Sequence, residues 1–197
     1  MEIERKYLIH KLPDHLEAYP HRTLEQAYLC TEPVVRVRRD ADDYILTYKS
    51  KGLMMREEHN LPLTEEAYRH LLEKADGRII TKERYCIPYG DHLTIELDVF
   101  AGDLAPLLLA EVEFSSEEEA NSFPPPDWFG EDVTFSSKYH NSTLSQKKIE
   151  KFPNPFFFRK CSIRYICDHI LFISLPDQIR HGLQPVHGLH LFHRSEP

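Results

Sequence analysis

At 197 residues, with 41% hydrophobic and 28% charged side chains, the chain has the composition of one globular domain with a real core and is too short for two comfortable ones. Its net charge of −8 argues against non-specific nucleic-acid binding, which needs clustered Lys and Arg on an exposed face, but leaves room for a local basic site and a small anionic ligand. No apolar run approaches the ~18 residues of a membrane span, residues 1–6 are charged with no apolar stretch behind them, and Cys30, Cys86, Cys161 and Cys167 are too scattered for a disulfide scaffold, so a cytoplasmic protein without a membrane partner is expected.

The first 114 residues alternate apolar and charged positions with the two-residue period of a strand. Strands are predicted over 2–9, 24–30, 34–39, 44–50 and 56–61, with 40–43 as a hairpin connection. A helix is predicted over 65–76: Thr64 is a good N-cap, Glu65 and Glu66 suit its first turn, Leu71, Leu72 and Ala75 make an apolar stripe, and Gly77 stops it. Strands resume over 80–88, 93–99 and 108–114, with a second hairpin connection at 89–92. Eight strands with evenly spaced turns suggest a barrel or a sandwich, mainly β (α+β) with flanking helices.

A short helix is predicted over 116–122, where Ser116 and Glu119 stand at capping-box spacing, and the consecutive prolines make 124–130 a loop. A last helix, with a poor apolar stripe, is predicted over 136–150. The final 47 residues differ in character: they carry six basic and three acidic side chains, whereas residues 1–150 carry 18 basic against 29 acidic. Two segments are therefore expected, a domain over 1–150 and an extension over 151–197. In the extension, Cys161, Cys167 and His169 fit no standard zinc spacing.

The informative feature is a set of charges spaced two apart: Glu2 and Glu4 with Lys6, Arg36 with Arg38, Lys49 with Lys51, Lys82 with Arg84, Glu96 with Asp98, and Glu111 with Glu113. Residues two apart on a strand share a face at about 7 Å. The residues between them are largely apolar, as at Ile3, Val35, Val37, Leu97 and Val112. An amphipathic strand ordinarily turns such charges to water. The sorting by sign argues otherwise, because like charges at this distance repel by about 2 kcal/mol at an effective dielectric near 20. Sorted charge becomes favourable when a ligand of opposite sign fills the space. Turned inward, the Arg and Lys pairs suit phosphate oxygens and the grouped carboxylates suit Mg²⁺ or Mn²⁺.

These residues match a known pattern. Glu2-Ile3-Glu4-Arg5-Lys6 resembles the ExExK signature of the CYTH superfamily, the triphosphate tunnel metalloenzymes. The resemblance continues through Arg36-Val37-Arg38, Thr47-Tyr48-Lys49, Lys82-Glu83-Arg84-Tyr85, Glu96-Leu97-Asp98-Val99-Phe100-Ala101-Gly102 and Glu111-Val112-Glu113-Phe114, six ordered motifs that come closest to the short bacterial inorganic triphosphatases. It implies an eight-stranded antiparallel closed barrel and metal-dependent hydrolysis of inorganic triphosphate to pyrophosphate and phosphate. Lys6, Arg36, Arg38, Lys49, Lys82 and Arg84 become the implied triphosphate ligands. Glu2, Glu4, Glu96, Asp98, Glu111 and Glu113 become ligands of Mg²⁺ or Mn²⁺ or activators of the attacking water, and Arg56 with Glu58 matches a further strand feeding the tunnel.

Tyr28 matches a tyrosine that some members use beside the signature lysine, here Lys6, so the two form the implied catalytic pair. A neighbouring ammonium would lower the phenol's pKa and make it a proton acceptor. Alternatives on the same fold are an adenylate cyclase, a thiamine or nucleoside triphosphatase, and a non-catalytic polyphosphate-binding module. Lys51 exceeds what the related motif requires and is expected at the tunnel mouth or in solvent. The expected partner is a small-molecule triphosphate, and a homodimer is compatible with the sequence but not fixed by it.

Overall fold

The computed structural model describes residues 1–146. Within them run ten strands: β1 (Glu2–Ile9), β2 (His21–Thr31), β3 (Val34–Asp40), β4 (Asp43–Lys49), β5 (Met55–Arg56), β6 (Glu58–Pro62), β7 (Asp76–Tyr89), β8 (Leu93–Phe100), β9 (Leu108–Glu113) and β10 (Phe129–Asp132). Three helices accompany them: α1 (Glu65–Leu72), α2 (Glu117–Ser122) and α3 (Asn141–Gln146). The strand order is β10-β1-β9-β8-β7-β2-β3-β4-β6, with β5 on β1, and every pairing is antiparallel.

β5 and β6 are one kinked stave interrupted at Glu57. β6 pairs with β4 from Ile45↔Pro62 to Lys49↔Glu58, and β5 pairs with β1 at Glu2↔Arg56 and Ile3↔Met55. The sheet thereby curls back on itself into a nearly closed barrel of eight staves, the strands the alternating pattern predicts. β10 lies outside that circuit and was not expected. The predicted loop over 124–130 ends where β10 begins, at Phe129, which pairs with Ile9 while Asp132 pairs with Tyr7. The reason is the edge of β1: β5 covers only its first residues, and a bare edge is unfavourable.

Because side chains alternate along each stave, burying charge inside requires apolar cover outside. On β1 the outward Tyr7 meets Phe129 at 4.7 Å and Phe123 at 6.1 Å between ring centres, and Phe114 meets Phe123 at 5.2 Å. On the far side, Tyr68 of α1 packs with Ala27 and Val37, with Leu71, Leu72 and Ala75 beside it. A third apolar group lies inside the barrel. Leu8, Tyr28, Val34, Ile80, Phe100 and Leu109, each two residues along from a polar or charged inward position, gather with Leu104, Leu107, Val133 and Leu144 of α3. The barrel is thus a cup, charged above and plugged by apolar side chains at one end.

Two helix boundaries differ from the prediction. α1 ends at Leu72 rather than at residue 76, its last turn tightening through Lys74 N–H to Leu71 O (3.0 Å) and Ala75 N–H to Leu72 O (3.2 Å), and β7 begins at Asp76. In the predicted 136–150 helix, Ser137–Tyr139 forms a 3-10 turn, His140 is extended, and α3 follows. The rest of that helix and the 151–197 extension, with Cys161, Cys167 and His169, lie outside the described residues.

Gly77 does not cap α1. It opens β7 with φ +75°, and a Cβ there would stand 2.4 Å from the Ser145 carbonyl oxygen of α3. Gly77→Ala is therefore expected to cost about 1–3 kcal/mol, from left-handed backbone strain and displacement of α3. A thermal melt checks this, and an unchanged midpoint would contradict the tight seat of α3.

Candidate active site

Inside the barrel the charges are sorted by stave. β1, β9 and β8, neighbours in the sheet, carry Glu2 and Glu4, Glu111 and Glu113, and Glu96 and Asp98. β7, β2, β3 and β4, also neighbours, carry Lys82 and Arg84, Arg22, Arg36 and Arg38, and Lys49. Lys6 stands in the acid arc, and the kinked stave adds Arg56, Glu58 and Asn60. The cavity wall holds eight basic and six acidic side chains. An acidic protein therefore encloses an interior with a basic surplus, which attracts small anions.

The two sets meet in ion pairs. Lys6 Nζ lies 2.8 Å from Glu111 and 3.7 Å from Glu4. Lys49 Nζ reaches Glu2 at 2.7 Å and Glu58 at 2.6 Å, and Arg56 reaches Glu2 at 2.8 Å and Glu4 at 2.9 Å. Burial works against the charge on Lys6, but Glu111 and Glu4 outweigh it and hold the ammonium above its ordinary pKa. Burial likewise opposes the Glu111 carboxylate, but Lys6, Lys82 and Arg84 hold it well below its ordinary value. Both stay charged at neutral pH.

Arg36 and Arg38 are different. Arg36 donates a long bond to Thr47 (3.5 Å) and lies beside the Tyr28 hydroxyl, and Arg38 has Asp40 at 3.9 Å as its salt-bridge partner among the described residues. The Nε atoms of both are buried with no hydrogen-bond partner among the described residues. Buried guanidinium donors normally find acceptors. These two are the basic groups of the wall most open to an anion.

The acids also divide. Glu4 pairs directly across the sheet with Glu113, and Glu96 with Glu111, and like charges directly opposite are destabilising. Arg84 bridges the second pair, bonding Glu96 and, at 2.6 Å, Glu111. The first has no such bridge: Glu113 makes no ion pair among the described residues, and burial followed by Glu96, Glu4 and Glu58 raises its pKa. Among the described residues no three carboxylate or imidazole groups form a ready-made metal cage. Mg²⁺ needs none, since it takes one or two carboxylates and fills its remaining positions with waters and phosphate oxygens. The oxygen donors present, crowded and partly unneutralised, suit such a cation.

Of the implied phosphate and metal ligands, with Tyr28, Arg56 and Glu58, all but Asp98 line the cavity; Lys51 is exposed and paired with Glu32 at 2.7 Å. Asp98 stands behind the wall rather than in it: wholly buried, it accepts from Arg84 Nε and Nη2, both at 2.7 Å, and from Lys82. Burial, with Arg84 beside it, pushes the Lys82 ammonium down to about 8 in spite of Asp98. Tyr28 lines the floor and accepts a bond from Gln26 Nε2 at 3.1 Å. Its pKa does not fall as Lys6 alone would make it. Burial raises it, outweighing Arg36 and Lys6, so the phenol keeps its proton.

The wall also contains Arg22, Gln26, Asn60, His140, Asn141 and Ser142, which the sequence reading does not name. Arg22 and Gln26 fall on the same two-residue period as Tyr28 and were open to detection, but β2 begins at His21 and not at residue 24. Arg22 is held by Asp40 at 2.6 Å and by the Cys86 sulfur at 2.9 Å. His140, Asn141 and Ser142 follow no strand period. Burial, with Lys6 and Arg56 nearby, pushes the His140 imidazole down to about 4, so it is neutral at pH 7.

A family model described as the CYTH domain matches residues 1–149. The chain belongs to the CYTH family. An inorganic triphosphatase of Nitrosomonas europaea is 42% identical over 148 residues, covering 73% of this chain and 96% of that protein. One from Acetivibrio thermocellus is 33% identical over 159 residues, covering 77% and 97%. The crystal structure of the inorganic triphosphatase NE1496 superposes with a TM-score of 0.58 at 38% identity, over 75% of this chain and 96% of that one. No helix among the described residues of this CYTH chain is long and apolar enough to cross a membrane.

The burial of Asp98 separates it from the other acids of this CYTH barrel. Asp98→Ala leaves Lys82 and Arg84 short of their buried partner and is expected to cost about 3–5 kcal/mol. Glu113→Ala, which breaks no ion pair, is expected to stay within about 0.5 kcal/mol. Urea denaturation of the two variants measures the difference, and equal midpoints would contradict the distinction.

Proposed function

We propose that the chain hydrolyses inorganic triphosphate to pyrophosphate and phosphate, with Mg²⁺ or Mn²⁺ held by the acid arc. The observation that carries this reading is the sorted lumen: basic and acidic side chains on separate arcs of one cup, with the bases in surplus. The names of the relatives from Nitrosomonas europaea and Acetivibrio thermocellus support the substrate. So does the wall itself. Its only aromatic side chains, among the described residues, are Tyr28 and His140, at the floor, so the mouth offers no ring on which a nucleobase could stack.

In this reading Arg36 and Arg38 take the phosphate chain by their unpartnered donors, and Lys6, Lys49, Lys82 and Arg84 complete the cradle. Positioning and neutralisation of this kind supply most of the catalysis in phosphoryl transfer. Glu2, Glu4, Glu96 and Glu111 would hold the divalent cation, which would neutralise the phosphate oxygens when bound. Asp98 holds Lys82 and Arg84 in place from behind. Glu113, whose affinity for a proton is raised, takes the proton of the attacking water. Tyr28 keeps its own proton and donates a hydrogen bond at the floor.

Phosphate release from inorganic triphosphate, ATP and thiamine triphosphate, with Mg²⁺ or Mn²⁺ and with a chelator, tests the reading alongside an assay for cyclic AMP. Inorganic triphosphate should be turned over fastest, and only with metal. Glu4→Ala and Arg38→Ala should each lower kcat/KM by about a hundredfold or more while the protein stays folded. Cyclic AMP as the main product, or near-wild-type activity in both variants, would contradict it.

A further inference from the structure

Gln26 is a buried polar side chain that the cradle and the acid arc leave without a task. It is 1% exposed and lines the cavity, whereas Leu24, two residues earlier on the same face of β2, is wholly buried and apolar. An apolar residue therefore suits this part of the stave, and an amide withdrawn from water there calls for a partner. The partner is Tyr28: Gln26 Nε2 donates to the phenol oxygen at 3.1 Å. The strand is irregular at this point. Side chains two apart on a regular strand stand about 7 Å apart. Here the register of β2 against β7 shifts between Gln26 and Tyr28, and that of β2 against β3 shifts between Tyr28 and Cys30. Irregularities of this kind re-aim a side chain beside a site.

The contact governs where the phenol sends its hydrogen. The Tyr28 hydroxyl stands among Lys6, Arg36 and Glu111 of the wall. An amide N–H reaches its oxygen, and the Arg36 guanidinium lies beside it. Both present positive ends, so the O–H turns away from them, and no side chain among the described residues accepts its hydrogen. What remains is the cavity that Tyr28 lines, where the basic surplus draws an anion. A polyanion bound there adds negative charge beside the phenol and holds its proton more firmly still.

Resting on the triphosphatase reading, we infer that Gln26 is a positioning residue: it commits Tyr28 to donate its hydrogen to a phosphate oxygen at the floor of the cup, rather than to take a proton from water. Gln26 touches no substrate on this account and acts only through the phenol. Tyr28 becomes a neutral ligand of the phosphate chain, set among charged ones.

The test is a double-substitution cycle in the full chain, with Gln26→Met, which keeps the length and removes the amide, and Tyr28→Phe, which removes the hydroxyl alone. The dissociation constant for inorganic triphosphate is measured calorimetrically and kcat by phosphate release. Tyr28→Phe should raise the dissociation constant about tenfold or more, as the loss of a hydrogen bond to a charged group does. Gln26→Met should raise it about threefold to tenfold in the wild type, and by less than about twofold in the Tyr28→Phe background. An equal factor in both backgrounds would make Gln26 a packing residue and overturn the inference, as would wild-type affinity in a folded Gln26→Met protein. An amide turned the other way would hold the phenol hydrogen itself, so tighter binding in Gln26→Met also counts against it. A Tyr28→Phe protein that binds like the wild type but loses kcat by about a hundredfold or more would make the phenol a proton acceptor and contradict the donor role. If Gln26→Met does not fold, Gln26→Asn, whose shorter amide falls short of Tyr28, takes its place. Wild-type binding without turnover would sink the triphosphatase reading and leave the cycle to decide the role of Gln26. No binding by the wild type would overturn both.

Discussion

Fourteen charged side chains share the wall of one small cavity, and the barrel tolerates them because the two signs occupy separate arcs that meet. Mixed at random, the same residues would neutralise one another and leave nothing for a ligand to recognise. Fully segregated, they would repel. The observed arrangement lies between these limits. Lys49, Arg56 and Arg84 tie the arcs together through short ion pairs and Lys6 neutralises Glu111 within the acid arc, while Arg36, Arg38 and Glu113 keep weak partners or none among the described residues. The paired groups hold the cup in shape, and the others give it something to bind.

The rest of the architecture follows from turning charge inward. Each stave then presents its apolar residues to the outside, where α1, α2 and the Phe123 and Phe129 rings cover them. A barrel whose lumen is polar along its whole length would lack an internal core, and the plug of Leu8, Tyr28, Val34, Ile80, Phe100 and Leu109 supplies one at one end. The same staves therefore set both the depth of the site and much of the stability of the fold. Asp98 shows how closely the two are joined, since its carboxylate bonds Lys82 and Arg84 of the wall and yet is among the most buried side chains.

Most of this was legible in the sequence because strand geometry is strict: a charge two residues from another must share its face, whatever the rest of the fold does. That rule located the eight staves and the charges of the six that carry charge pairs. The same spacing runs on into the floor, where Leu8 follows Lys6 and Leu109 precedes Glu111, but the sequence reading drew no plug from it. What it could not carry was depth. Asp98 and Glu113 have the same period as their neighbours, and only packing makes one a buried brace and the other an open carboxylate. Tyr28 was misjudged in its proton affinity for a related reason: the lysine was visible in sequence and the burial that outweighs it was not. β10 and the head of α3 reach the barrel through short irregular segments with no strand period, so no local pattern announced that Asn141 would stand in the cavity.

The central claim is that the basic arc and the acid arc act together on one polyanion and one cation. Calorimetric titration of inorganic triphosphate into the protein, repeated over a series of Mg²⁺ concentrations, measures that coupling most directly. The account predicts one site per chain whose affinity for triphosphate rises with Mg²⁺ beyond what formation of the magnesium complex in solution explains. Affinity that is independent of the metal, or no binding at all, would contradict it.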